Sequence, residues 1–225
     1  MESKLEVCID SCAGIEACIE GNADRIELCS SLQYGGLTPS KELLEVASEC
    51  GIPARAMIRP RKGNFIYTPE DLKRMLGDID KIRSYNIEGV VFGATLLNGA
   101  LDIDFLEELV MYSIGLNKTL HRAVDTMDKT IETVETAIKL GFDTILSSGG
   151  YETAIEGLST LYEMHTRASG RIYIMPGSGI NPFNANQFIS KCNFEWIHSS
   201  CSIKRNMLSL TDAQTIKNLK NAIIN

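Results

Sequence analysis

Short runs of β-forming residues recur along the whole chain, and a helical pattern follows each one. The runs fall at 5–10, 25–29, 54–59, 89–93, 118–122, 144–148, 172–176 and 195–199. Alternation of this kind specifies a parallel sheet layered with helices. Eight strand–helix units within 225 residues predict an α/β fold of the TIM (β/α)₈ barrel type, since such barrels commonly use ~200–250 residues as one domain. The single domain then spans 1–225, with a last helix at about 211–223. A doubly wound open sheet is the competing architecture. It usually has fewer strands and one dominant glycine loop at a switch point. Here polar residues end almost every strand, a distribution that favours closure.

In a closed barrel, chemistry sits where strands end. Those ends carry Cys8, Asp10, Glu27, Cys29, Arg59, Arg61, His121, Arg122, Asp125, Ser147, Ser148, His198 and Ser199. Such side chains are costly to bury without partners, so they suggest a site as well as a scaffold. Side chains alternate along a strand. Glu6, Cys8 and Asp10 therefore share one face of strand one, and Glu27 and Cys29 share one face of strand two. Carboxylates under the helix layer would be badly desolvated. Glu6 and Glu27 are accordingly expected inward, and parity carries Cys8 and Cys29 with them. Two thiols placed so suit a soft ion such as Cu(I) or Zn(II), although free cysteine is also a small, commonly buried hydrophobe. Glu6 and Glu27 are either an acid–base pair, metal ligands, or the acidic half of an ion pair with an inward Arg59. In the first case at least one has a raised pKa.

Arg59-Pro60-Arg61-Lys62-Gly63 is a dense cationic turn, and arginine suits anion recognition. Phe65 and Tyr67 in the same loop suggest a lid or a dimer contact. His121, with Asp125 as an orienting partner, is a candidate for proton transfer near neutral pH. It can equally be a satisfied structural histidine. His165 lies in a helical stretch and is expected to be exposed. Gly177-Ser178-Gly179, together with Ser148-Gly149-Gly150 and His198-Ser199-Ser200, outlines a short phosphate cradle of the kind barrels build after their last strands. A tight turn needing glycine explains the same residues. Lys4 and Lys118 sit at strand starts, on the wrong rim for a Schiff-base aldolase.

Composition narrows the function classes. A net charge of −7 argues against nucleic acid, and no basic stripe or zinc-finger spacing is present. No apolar run reaches the ~18–20 residues needed to span a bilayer, and no signal-peptide core opens the chain. The cysteines are odd in number, at 7, and scattered without a Cys-x-x-Cys pair. They fit a reducing compartment, hence a cytoplasmic location.

Several segments together resemble the CutC family. They are Leu5-Glu6-Val7-Cys8, Ala23-Asp24-Arg25-Ile26-Glu27-Leu28-Cys29, Gly35-Gly36-Leu37-Thr38-Pro39-Ser40, Ile58-Arg59-Pro60-Arg61, His121-Arg122-Ala123-Val124-Asp125, Leu146-Ser147-Ser148-Gly149 and His198-Ser199-Ser200. The match runs over roughly residues 5–201. One departure is Val124, where the family more usually has Phe. The resemblance implies a TIM barrel, a cytoplasmic location, a role in copper homeostasis or Cu(I) binding, and homodimers or larger homo-oligomers. It places the proposed copper-binding cysteines on Cys8 and Cys29. Two functions follow. One is a copper-binding protein using Cys8 and Cys29, with Glu6 and Glu27 tuning the charge. The other is an enzyme on a small anionic or phosphorylated metabolite. In it Arg59, Arg61, Ser148, Gly177, Gly179 and His198 hold the anion, while Glu6, Glu27, His121 and Asp125 move protons.

Overall fold

The computed structural model describes residues 2–190, 192–205 and 208–224. Its strands β1 (Lys4–Ile9), β2 (Arg25–Leu28), β3 (Ala54–Met57), β4 (Gly89–Phe92), β5 (Asn117–Leu120), β6 (Thr144–Ser147), β7 (Tyr173–Pro176) and β8 (Trp196–Ser199) form one parallel sheet. The order is β7-β6-β5-β4-β3-β2-β1-β8, so the first and last strands adjoin and the sheet curls into a TIM-type barrel. One seam remains: β7 and β8 lie side by side without a hydrogen-bonded ladder. The chain explains it. Tyr173 and Gly177 donate their N–H groups to Asp143 and Ser147 on the β6 side. By alternation Ile174 and Pro176 turn their backbones to β8, and proline has no N–H to offer.

The helices are α1 (Cys12–Gly21), α2 (Lys41–Glu49), α3 (Pro69–Ile82), α4 (Ile103–Tyr112), α5 (Thr133–Leu140), α6 (Leu158–Ala168), α7 (Asn186–Ile189) and α8 (Ala213–Ile224). Their punctuation is local. Ser11 caps α1 by accepting from the Gly14 N–H, and Asn22 ends it at φ 59. Thr68 and Asp71 close a reciprocal capping box around Pro69 at the start of α3. The apolar stripe of α3 buries Met75, Ile79 and Ile82.

Three connections have structure of their own. The helical pattern that the sequence shows from Lys129 to Leu140 becomes α-helix only at Thr133, because 3₁₀ turns at Arg122–Thr126 and Thr130–Glu132 take up the loop. Asn181-Pro182 has the form of a helix start, but no long helix opens there. The Asn181 and Asn184 side chains instead donate to the Gly179 carbonyl and hold a compact turn, so α7 is only the stretch Asn186–Ile189. The polar connection after β8 contains an antiparallel pair, β9 (Ser202–Arg205) and β10 (Leu208–Thr211).

The strand faces divide sharply. Leu5, Val7, Ile9, Ile26, Leu28, Ala56, Val90, Phe92, Leu120, Ile145, Ile174 and Ile197 pack with the helix stripes into one continuous apolar core. The opposite parity faces the barrel interior and is largely polar. Register and alternation stack this lumen in tiers. Arg25, Gly89, Thr144 and Trp196 make the floor. Glu6, Arg55, Thr119 and Met175 come next, then Glu27, Val91, Leu146 and His198. Cys8, Met57, His121 and Gly177 lie at the top.

The two lowest tiers form an ionic plug. The Arg25 guanidinium lies 3.6 Å over the Trp196 ring. Arg55 pairs with Asp143 at 2.7 Å and Glu88 at 3.3 Å, and donates to the Thr119 and Thr144 hydroxyls at 2.6 and 3.1 Å.

Candidate functional site

At the top of this plug, Glu6 is completely buried. Its Oε2 accepts from Arg25 Nε at 2.5 Å, and its Oε1 lies 2.8 Å from His198 Nδ1. Burial pushes the Glu6 carboxyl up, but Arg25 and then His198 reverse this and hold it down at about 2. The carboxylate thus fixes the imidazole by Nδ1 and leaves Nε2 facing Cys8 and Glu27. Donor atoms of Cys8, Glu27 and His198 all lie within 4.8 Å of one another. His198 Nε2 is 3.8 Å from Glu27 Oε2, and the Cys29 thiol donates to the same oxygen at 3.5 Å.

Burial disfavours charge on His198, yet Cys8 and Glu27 beside it raise its pKa well above the ordinary imidazole value. Glu27 is raised by burial and by the nearby Glu6, against the opposing pull of His198. The Cys29 thiol is pushed far up by burial and by Glu27. Packing also depends on Gly177, where a Cβ would stand 2.5 Å from Leu146 Cδ1 and 3.2 Å from His198 Cβ.

His121 sits across the barrel, buried at 3% exposure. Its Nδ1 accepts from the Ala123 N–H at 3.2 Å, and its Nε2 has no hydrogen-bond partner among the described residues. Burial and then Arg59 lower its pKa to about 3, so the ring is neutral. The Phe65 ring covers it at 4.8 Å. Asp125 does not orient His121. Its oxygens accept from Ser147 Oγ at 2.5 Å, Ser148 N at 2.9 Å, Gly150 N at 3.1 Å and Arg122 Nε at 2.8 Å. It therefore ties the loop after β5 to the loop after β6. Ser148 belongs to the same knot, its hydroxyl bonded to Asp125 and to the Tyr151 carbonyl.

The expected anion cradle is not gathered in one place. Arg59 donates to the carbonyls of Tyr34, Gly36 and Gly63, which makes it the organiser of its own mouth loops and not the partner of Glu6 or Glu27. Arg61 donates to Asp71 at 3.0 Å and to the Ile66 carbonyl. Gly177 donates to the Ser147 carbonyl at 3.0 Å, and the Gly179 carbonyl is taken by the two asparagine amides. No helix opens directly behind these glycines. His165 is half-buried, edge-on to Phe194 at 5.2 Å.

Sequence reading had passed over Arg25 and Arg55, the cations of the lumen. Their signal was parity: Arg25 stands two residues before Glu27, and Arg55 two before Met57.

A carboxylate holding one ring nitrogen while the other meets a thiol and a second carboxylate is the supporting pattern seen around metal-bound histidines. Fold and site together define a TIM-type barrel with a candidate metal centre under its mouth. The profile of the CutC family matches residues 3–203, and the chain belongs to that family. A protein called family protein CutC from Rhizobium meliloti is 48% identical over 198 residues, which is 88% of this chain and 81% of that one. Its counterpart from Agrobacterium fabrum is 44% identical over 198 residues, 88% of this chain and 79% of that one. A crystal structure of a CutC protein from Streptococcus agalactiae, named for copper homeostasis, superposes with a TM-score of 0.83 at 28% identity, covering 89% of this chain and 99% of that one. A phosphoribosylanthranilate isomerase from Thermotoga maritima, at 13% identity and a TM-score of 0.63, shares the barrel fold alone.

Proposed function

We propose that this protein serves copper homeostasis by binding Cu(I) as its cargo in the barrel lumen. Cys8 Sγ and His198 Nε2 are the central donors, and Cys29 Sγ joins as a second thiolate. The observation that carries the reading is the convergence of Cys8, Glu27 and His198 within 4.8 Å, with the His198 ring already fixed by Glu6. Soft thiolate and imidazole donors suit Cu(I). Binding requires that the Cys8 Sγ proton and the His198 Nε2 proton leave, so uptake is coupled to proton release. Cys29 must turn from Glu27 towards the ion. The free cysteines support a reducing, cytoplasmic setting, and the family resemblance supports a homo-oligomer.

Anaerobic competition against a chromophoric Cu(I) chelator tests this. A single Cu(I) per chain is expected. Glu6→Leu, which frees the ring, should weaken affinity by roughly 10–100-fold. Undiminished affinity in a Cys8→Ser/Cys29→Ser double variant would overturn the assignment.

A further inference from the structure

We propose that the mouth of the barrel also binds the carboxylate of a small organic acid, held by Arg59 Nε, the Tyr67 hydroxyl and His121 Nε2. All three atoms are buried and, among the described residues, have no hydrogen-bond partner. Buried polar atoms nearly always have one, so three orphans in one region point to something they hold. The remaining such atom, Glu27 Oε1, belongs to the metal cluster.

Neighbouring strands bring the three together. Arg59 follows β3 and His121 follows β5, with β4 between them. The His121 ring leans on the end of β4, where a Cβ on Gly93 would lie 2.7 Å from its Nδ1. The loop after β3 reaches the same strand end, because the Phe65 carbonyl accepts from the Thr95 N–H. Phe65 thereby joins two of the partners. Its ring centre is 4.8 Å from the Arg59 guanidinium carbon and 4.8 Å from the His121 ring centre. Tyr67 is two residues further on, stacked on Phe105 of α4 at 5.5 Å. The Arg59 guanidinium acts on both neighbours: after burial it is the charge that lowers His121, and it opposes the rise that burial imposes on Tyr67.

Donor direction and charge define the ligand class. His121 Nδ1 accepts from the Ala123 N–H, so in the neutral ring Nε2 carries the proton and donates. Burial pushes the Tyr67 hydroxyl up to about 12, so it keeps a proton to donate. Arg59 Nε can only donate. Arg59 is 5% exposed. Its other N–H groups meet the carbonyls of Tyr34, Gly36 and Gly63, and among the described residues no carboxylate lies in ion-pair range. Carbonyls satisfy those N–H groups but leave the buried charge uncompensated. Three donors around one unmatched positive charge call for an acceptor with one negative charge. His121 and Tyr67 are neutral, and Arg61 is paired with Asp71 at 3.0 Å, so a doubly charged phosphate would keep one charge unmatched. A carboxylate has the single charge and two oxygens to share among the donors. The mouth of an eight-stranded barrel admits one small ligand, and Phe65 must swing aside for it to enter.

The site shares no residue with the copper centre, and copper-free full-length protein is used to test it. Saturation-transfer NMR in chloride-free buffer compares acetate with its neutral counterpart acetamide, and follows displacement of acetate by inorganic phosphate. Acetate should bind in the millimolar range open to so few atoms. Acetamide should bind at least roughly tenfold more weakly, and phosphate should compete less well than acetate binds. Tyr67→Phe and His121→Phe each keep a ring and remove one donor, and each should weaken acetate at least roughly tenfold. Lys73→Ala/Arg74→Ala strips two exposed cations from a separate groove of about 530 Å³ between α3 and the end of β3, and should leave acetate binding unchanged. Absence of acetate binding would mean that water alone fills the site, and would overturn the proposal. Equal affinity for acetamide, tighter binding of phosphate, full acetate affinity in folded Tyr67→Phe or His121→Phe, or loss of acetate in the groove variant would do the same. If neither ring variant folds, the comparison of probes on the wild type decides.

Discussion

At the scale of single residues, the lumen is governed by one carboxylate. Glu6 stays ionised in full burial because Arg25 and His198 hold it from two sides. Its folded pKa of about 2 lies below the ordinary 4.5. The unfolded chain therefore binds the proton first, and the stabilisation is present above pH 4.5 and lost as pH falls towards 2. A shift of this size corresponds to about 3 kcal/mol. In urea titrations between those pH values, Glu6→Gln should lose about that much of the wild-type pH dependence, and an unchanged slope would refute the pairing. Arg25→Met should cost about 3–5 kcal/mol at neutral pH, because it removes the ion-pair partner of a buried carboxylate and leaves His198 alone to hold it. Alternation in the sequence already put Glu6, Cys8, Glu27 and Cys29 on common faces. It offers Arg59, at a strand end, as one possible ion-pair partner for Glu6 and Glu27. Arg25 holds Glu6 from the first residue of its strand, where side-chain reach up the lumen decides and position in the motif does not.

At the scale of elements, caps and stops were readable because their chemistry is local: Ser11, Thr68 and Gly141 all end or begin helices as their types require. The loops over the mouth were not, because their conformations are set by partners distant in sequence. Asp125 is the clearest case. As a strand-end acid beside His121 it looked like part of a catalytic pair, whereas it binds backbone and hydroxyl groups of the segment Ser147–Gly150 across 22 to 25 residues of chain. Asp125→Asn keeps the shape but turns a donor towards the Ser148 N–H and forfeits the Arg122 pair. A loss of about 2–3 kcal/mol is expected in denaturant unfolding, with copper affinity retained. A large loss of copper at unchanged stability would instead make Asp125 part of the site.

At the scale of the whole molecule, the eight-unit repeat announced the barrel, but how the barrel closes depends on which backbone groups meet at the last pair of strands. Pro176 settles that. It occupies a position whose N–H side faces β8, so the ladder that joins every other neighbouring pair is missing between β7 and β8. The consequence falls on β8, which carries His198 and, among the described residues, is paired only with β1. The β1 residues Leu5 and Ile9 offer their carbonyls to the β2 side, which turns Lys4 and Glu6 towards β8 and, by alternation, leaves Trp196 and His198 with their N–H groups towards the seam. Local opening requires few hydrogen bonds to break there. In native-state hydrogen exchange the amides of Ile174, Trp196 and His198 should therefore exchange faster than those of Ile197 and Met175, which face paired strands. An ion bridging Cys8 on β1 and His198 on β8 spans the adjoining strand pair and should slow the seam amides when Cu(I) is added. If the seam amides are as protected as their neighbours before copper, the barrel is fully laddered and the Pro176 argument fails. If copper leaves them unchanged, the ion does not bridge β1 and β8.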